Sequence, residues 1–182
     1  MANLGTLYRF RIGLSDIERG VYADLDFRIQ MHPSETPAFL LTRVLAYALN
    51  YEEALAFAPG GLSDTEAPAL QSLRADGSIE TWIEVGQPSA RKLHRASKCA
   101  RKVSVYCSRD PSAALKDWAR EKIHRSSDIQ VYSWEGPWLE SLAQTLAKDN
   151  RWTVVHSDGA LVITAGEKEV IQGNLKRWTI GD

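Results

Sequence analysis

The sequence predicts a mixed α/β (α+β) fold: a mixed β-sheet flanked by helices, with β-hairpins added at both ends of the chain. Three observations carry this. Apolar and polar residues alternate at period two over Leu7–Leu14 and Val21–Met31, and again on either side of Ser157-Asp158-Gly159. Between these ends, strand-like and helix-like stretches alternate, the pattern of sheet strands joined by covering helices. The 182 residues are 44% hydrophobic and 25% charged, so the chain can bury a core of its own. It reads as one domain, residues 1–182.

In chain order, Leu7–Leu14 and Val21–Met31 form a hairpin around SDIERG, whose Ser, Asp and Gly suit a turn. HPSETP (His32–Pro37) opens a helix. Ser34 is the expected N-cap, Glu35 a first-turn acid that favours the dipole, and Pro37 is tolerated where amides lack intrahelical partners. Leu41, Val44, Leu45, Ala48 and Leu49 make its apolar stripe. Arg43 either pairs with an acid or holds a phosphate. Pro59–Gly77 is loop with at most a short strand. Ile79–Val85 is a strand that carries Glu80, Trp82 and Glu84 on one face. Trp82 reads as core sooner than as a stacking platform. Gly86 and Pro88 end the strand, and a helix runs from about Ser89 to Arg101. Strands follow at Lys102–Ser108 and Ile129–Trp134, and helices at Asp110–His124 and Glu135–Lys148. The Ser157-Asp158-Gly159 hairpin joins Arg151–His156 to Ala160–Thr164. Two edge strands, Glu167–Gln172 and Lys176–Ile180, close the order.

Charge is sorted along the chain. From Glu52 through Glu84 the acids are Glu52, Glu53, Asp64, Glu66, Asp76, Glu80 and Glu84, against the single base Arg74. From Val85 through Arg109 there is no acid, and at about 100° per residue Arg91, Arg95, Lys98 and Lys102 share one helical stripe. Carboxylates attract divalent metals, and guanidinium stripes attract phosphate. The net charge of −1 argues against a chain that coats nucleic acid with its whole field, so any such contact is a local patch. The two cysteines, with no CxxC, point to a reducing compartment and not to structural zinc. No apolar h-region opens the chain and no stretch has membrane-spanning length; the expectation is a cytoplasmic protein without a membrane partner. Neither G-x-G-x-x-G nor a P-loop occurs.

The combination of HPSETP opening a helix, GGLSDTEAPAL, WIEVGQP and the Arg/Lys helix after it resembles the YaeQ family, nearly end to end. The resemblance implies a restriction-endonuclease-like core, about residues 32–135, related to the PD-(D/E)xK nuclease superfamily. Carried over, Glu84 matches the second acid of that pattern, Asp64 (or Glu66) its partner, and Glu35 an accessory acid. These would be the ligands of Mg²⁺, which polarises a phosphodiester and activates water. Gly86 stands where the pattern wants lysine, so the lysine role has moved to Lys98, Lys92 or Arg91 of the next helix, with Lys98 the first choice, or catalysis is lost. Two functions follow as expectations. One is a metal-dependent, nuclease-like phosphodiesterase using Asp64, Glu84 and Glu35 for metal, with Lys98, Lys92 and Glu35 in catalysis. The other is a non-catalytic protein of that fold that binds nucleic acid, or a protein partner, through residues 89–102. Arg91, Arg95, Lys98 and Arg43 are the phosphate contacts.

Overall fold

The computed structural model describes residues 5–59, 64–135, 137–166 and 169–181. Gly60 and Gly61 of the predicted loop, with the start of GGLSDTEAPAL, lie outside the described residues, as do Gly136 and the first residues of the predicted strand at Glu167. The fold is mixed α/β, with mixed β-sheets flanked by helices. The chain divides into two compact units: residues 1–49 with 134–175, and residues 50–133 with 176–182.

In the first unit, β1 (Thr6–Asp16) and β2 (Val21–Met31) pair antiparallel as the predicted hairpin. The strand order is β2-β1-β8-β9-β10, with β8 (Asp149–Ser157), β9 (Ala160–Ala165) and β10 (Glu169–Trp178). β1 and β8 are parallel, and β8, β9 and β10 are antiparallel neighbours. Asp158 and Gly159 both have positive φ (52° and 73°), the two-residue turn that the sequence signals. Phe10, Ile12 and Leu14 of β1 are buried, while Arg9, Arg11 and Gly13 alternate with them on the other face. Against the buried side pack α1 (Pro37–Leu49) and the short α4 (Trp138–Ala143). Gly173 makes room for this packing: a Cβ there would lie 2.4 Å from the Trp138 indole.

In the second unit the order is β7-β6-β5-β4-β3: β3 (Ala56–Phe57), β4 (Leu70–Leu73), β5 (Ile79–Val85), β6 (Ala100–Cys107) and β7 (Gln130–Trp134). β5, β6 and β7 run parallel, and β4 is antiparallel to β5. α2 (Ala90–Cys99) and α3 (Ser112–Arg120) are the crossovers. Trp82, Leu93, Ala96, Val103, Val105, Leu115 and Trp118 join one core cluster, so Trp82 is core, as its reading favours.

Several expectations need correction. The N-cap of α1 is Thr36, whose hydroxyl accepts from the Phe39 amide; Ser34 bonds to the His32 ring instead. Glu35 therefore precedes the helix and is not a first-turn acid. α3 stops at Arg120, where Glu121 turns extended, and α4 ends at Ala143, followed by tight turns and the Asn150 side chain gripping Ala147. The two predicted C-terminal strands are one, β10. No helix among the described residues is long and apolar enough to cross a membrane.

Candidate functional site

Glu84 lies near the end of β5 on the face that α2 covers, with Trp82 beside it. Its side chain is 5% exposed. Oε1 accepts from the Trp82 indole N–H at 2.6 Å, and Oε2 accepts from Lys92 Nζ at 2.9 Å. Burial pushes its carboxyl above the ordinary glutamate range, against the lowering pull of Lys92 and Trp82. Ser89 caps α2 by accepting from the Lys92 amide at 3.2 Å. That fixes Lys92 in the first turn, where a cation opposes the helix dipole. The buried carboxylate below compensates it. Of the candidate lysines, Lys92 meets Glu84. Lys98, the first choice by sequence, is exposed in the last turn of α2, where its charge suits the dipole.

The outward face of α2 is held by one acid. Glu66 accepts from Arg91 Nη2 at 2.7 Å and from Arg95 Nη1 at 2.8 Å, pinning two guanidiniums side by side on successive turns. Both remain open, with side-chain exposures of 82% and 52%. Asp64 supports this from behind: its Oδ1 accepts from the amides of Glu66 and Ala67, an Asx turn that orients the loop. At the start of β5, Glu80 faces Arg74, Arg101 and Lys102 at 2.5, 4.0 and 3.7 Å. Gly86 has φ 91°, and its amide donates to the Tyr106 carbonyl at 2.8 Å.

Glu35 and Arg43 form a separate pair in the first unit. Arg43 Nη1 donates to both Glu35 oxygens at 3.0 and 3.1 Å and to the Gln30 carbonyl at 3.2 Å. Glu35 Oε2 also accepts from the His32 amide at 2.9 Å. Both side chains are buried, which is the ion-pair option for Arg43 and leaves it turned from solvent phosphate.

The donor set can be tested against Mg²⁺, which needs converging oxygen ligands. Both Glu84 oxygens are engaged by N–H donors, Asp64 is committed to backbone amides, and Glu35 is committed to Arg43. Among the described residues, no three His, Cys, Asp or Glu group so as to hold a metal ion. As arranged, these residues do not fit a Mg²⁺ centre. What they offer is a buried Glu–Lys anchor beneath a net-cationic helix face whose arginines are clamped by Glu66. Sequence reasoning ranked Glu66 second as a metal ligand and missed it as the clamp of Arg91 and Arg95; the sole signal was its place in an acidic loop before a basic helix.

The chain matches the YaeQ protein family model over residues 1–172. It is 28% identical to the uncharacterized protein YaeQ of Escherichia coli (strain K12), over 98% of each chain. The crystal structure of YaeQ protein from Xanthomonas axonopodis pv. citri superposes with a TM-score of 0.87 at 26% identity, covering 96% of this chain and 98% of that one. YaeQ protein from Pseudomonas syringae gives 0.85 at 31% identity, with 96% of each covered.

Proposed function

The chain belongs to the YaeQ family, and from that premise we propose that it binds nucleic acid through the outer face of α2, on a PD-(D/E)xK-like core that no longer cuts. The observation that carries this is the Glu66 clamp, which presents Arg91 and Arg95 in fixed positions with most of each side chain open. One carboxylate is set against two guanidiniums, and the exposed Lys98 adds to the surplus. Arginine forks suit phosphate oxygens, and a pre-ordered pair loses little entropy on binding. The nuclease ancestry is supported by the β5 acid that leads straight into this helix, and by Lys92 supplying an ammonium beside Glu84.

A second reading, a metal-dependent phosphodiesterase with Mg²⁺ at Glu84 and Asp64, keeps Lys92 as the ammonium beside the β5 acid but requires both carboxylates to leave the donors that now hold them. The two separate in one set of measurements on labelled single- and double-stranded DNA and RNA. Binding without cutting predicts affinity that falls steeply with salt. It predicts a log–log slope reduced by about two in Arg91→Gln/Arg95→Gln, roughly one for each phosphate no longer neutralised. It also predicts the same null heat when Mg²⁺ is titrated into wild type and Glu84→Gln. Absence of binding at low salt overturns it. Mg²⁺-dependent cleavage that disappears in Glu84→Gln replaces it with the second reading.

A further inference from the structure

The outward face of the first unit's sheet contains a hollow made by a missing side chain. Gly13 sits in mid-β1, opposite Asp24 of β2 and Thr153 of β8. Its φ is not positive, so its extended backbone does not require glycine. A Cβ there would meet only Thr153 Cγ2 at 3.5 Å and Asp24 Oδ1 at 3.9 Å, ordinary contact distances. The gap opens a cavity of about 430 Å³, bordered by Arg11, Gly13, Asp24, Arg151 and Thr153. That volume lies within the range of about 300–1,000 Å³ usual for small-molecule sites.

Around it, most charges are already matched. Arg9 grips Asp26 through two hydrogen bonds at 2.9 and 2.7 Å, and Arg11 pairs with Asp149. On the cavity's border one acid and one base are left over. Asp24 and Arg151 are exposed, and neither side chain makes a hydrogen bond or ion pair with a described residue. They stand on β2 and β8, on either side of β1, Asp24 level with Gly13 and Arg151 level with Arg11; two strand spacings and a two-residue offset put their backbones about 12 Å apart. Arg11, also on this border, is already held by Asp149, and its Nε–H is sealed from solvent and so does not face the hollow.

We propose that this hollow binds a small zwitterion of the α-amino acid class, its ammonium on Asp24 and its carboxylate on Arg151. A single anion would leave Asp24 unmatched, and a single cation would leave Arg151 unmatched; a ligand with both charges satisfies both. The outward side chains that border the gap are polar, so the ligand's own side chain is small or polar.

The test uses the ¹⁵N-labelled full chain, titrated with the standard amino acids and, at equal concentration, with acetate and methylammonium. The expected result is that at least one amino acid shifts the amide resonances of Gly13, Asp24 and Thr153, while neither single-charge probe does. Asp24→Asn and Arg151→Gln, both at exposed positions, should each weaken binding by about tenfold or more, the usual loss for a charged hydrogen bond. Gly13→Ala should keep the thermal midpoint and weaken binding by filling the floor. The proposal is overturned if no amino acid moves those resonances, if acetate alone binds as tightly, or if affinity is unchanged in both charge variants.

Discussion

Gly86 shows how one backbone angle constrains chemistry. Its φ of 91° lies where L side chains are strained, and its amide is fixed to Tyr106 across the parallel pair. A lysine here, as the nuclease pattern expects, would have to adopt that strained conformation. Gly86→Lys should therefore lower stability by about 1–2 kcal/mol, the cost of forcing a side chain into left-handed backbone. Gly86→Ala should cost a similar amount, since the penalty comes from Cβ and not from the charge. Urea denaturation of both variants checks this; an unchanged midpoint in either would sink the argument. The ammonium next to Glu84 comes from Lys92 instead. Both lysines are visible as candidates in the sequence, but helical phase ranks Lys98 above Lys92, because it places Lys98 in the arginine stripe. Which cation reaches the strand end depends on where the helix starts. Ser89 sets that start, and the cap puts Lys92, a neighbour of the Arg91–Arg95 row, over Glu84.

At the scale of elements, period and punctuation were legible and pairings were not. β2 and β5 have the predicted bounds because alternation and flanking Gly and Pro mark them directly. α1 began two residues later than its Ser34 cap implied: Thr36 competes for the same role, and Glu35 is drawn away by Arg43 and the His32 amide. α4 fell short of its predicted length once Trp138, Leu139 and Leu142 were buried, since the residues after them gain little from a further helical turn. The Glu35–Arg43 pair ties the segment before α1 to the helix body, with both side chains nearly sealed. Glu35→Ala should cost about 3–5 kcal/mol by taking from a buried guanidinium the carboxylate that it donates to. Glu35→Leu with Arg43→Met should recover most of that loss, because the second change removes the stranded charge. Chemical denaturation of the single and double variants decides it; a double variant as unstable as the single one would show that the pair is needed for more than charge balance.

Across the whole chain a net charge of −1 conceals a sorted pattern, and pH reads that pattern as stability. Asp26, Asp76, Glu80 and Asp110 sit below the ordinary carboxylate range, each led by a side-chain hydrogen bond, from Arg9, Ser78, Arg74 and Ser112 respectively. They contribute stability above their unfolded values that is lost as pH falls through their folded ones, and the exposure of Asp26, Asp76 and Asp110, with Glu80 partly exposed, keeps that contribution small. Glu84 has the opposite sign. Burial raises its carboxyl, so over the window from the ordinary glutamate value up to the raised one the folded state holds a proton that the unfolded state has released. Stability then falls as pH rises through that window. Wild type minus Glu84→Gln, followed by urea denaturation from acid to neutral pH, should isolate this group. The difference should decline with rising pH and flatten once Glu84 has ionised in both states. A difference that instead grows with pH would mean that Lys92 outweighs burial. Glu84 would then be held as a ready carboxylate, which is the state the metal-dependent reading requires.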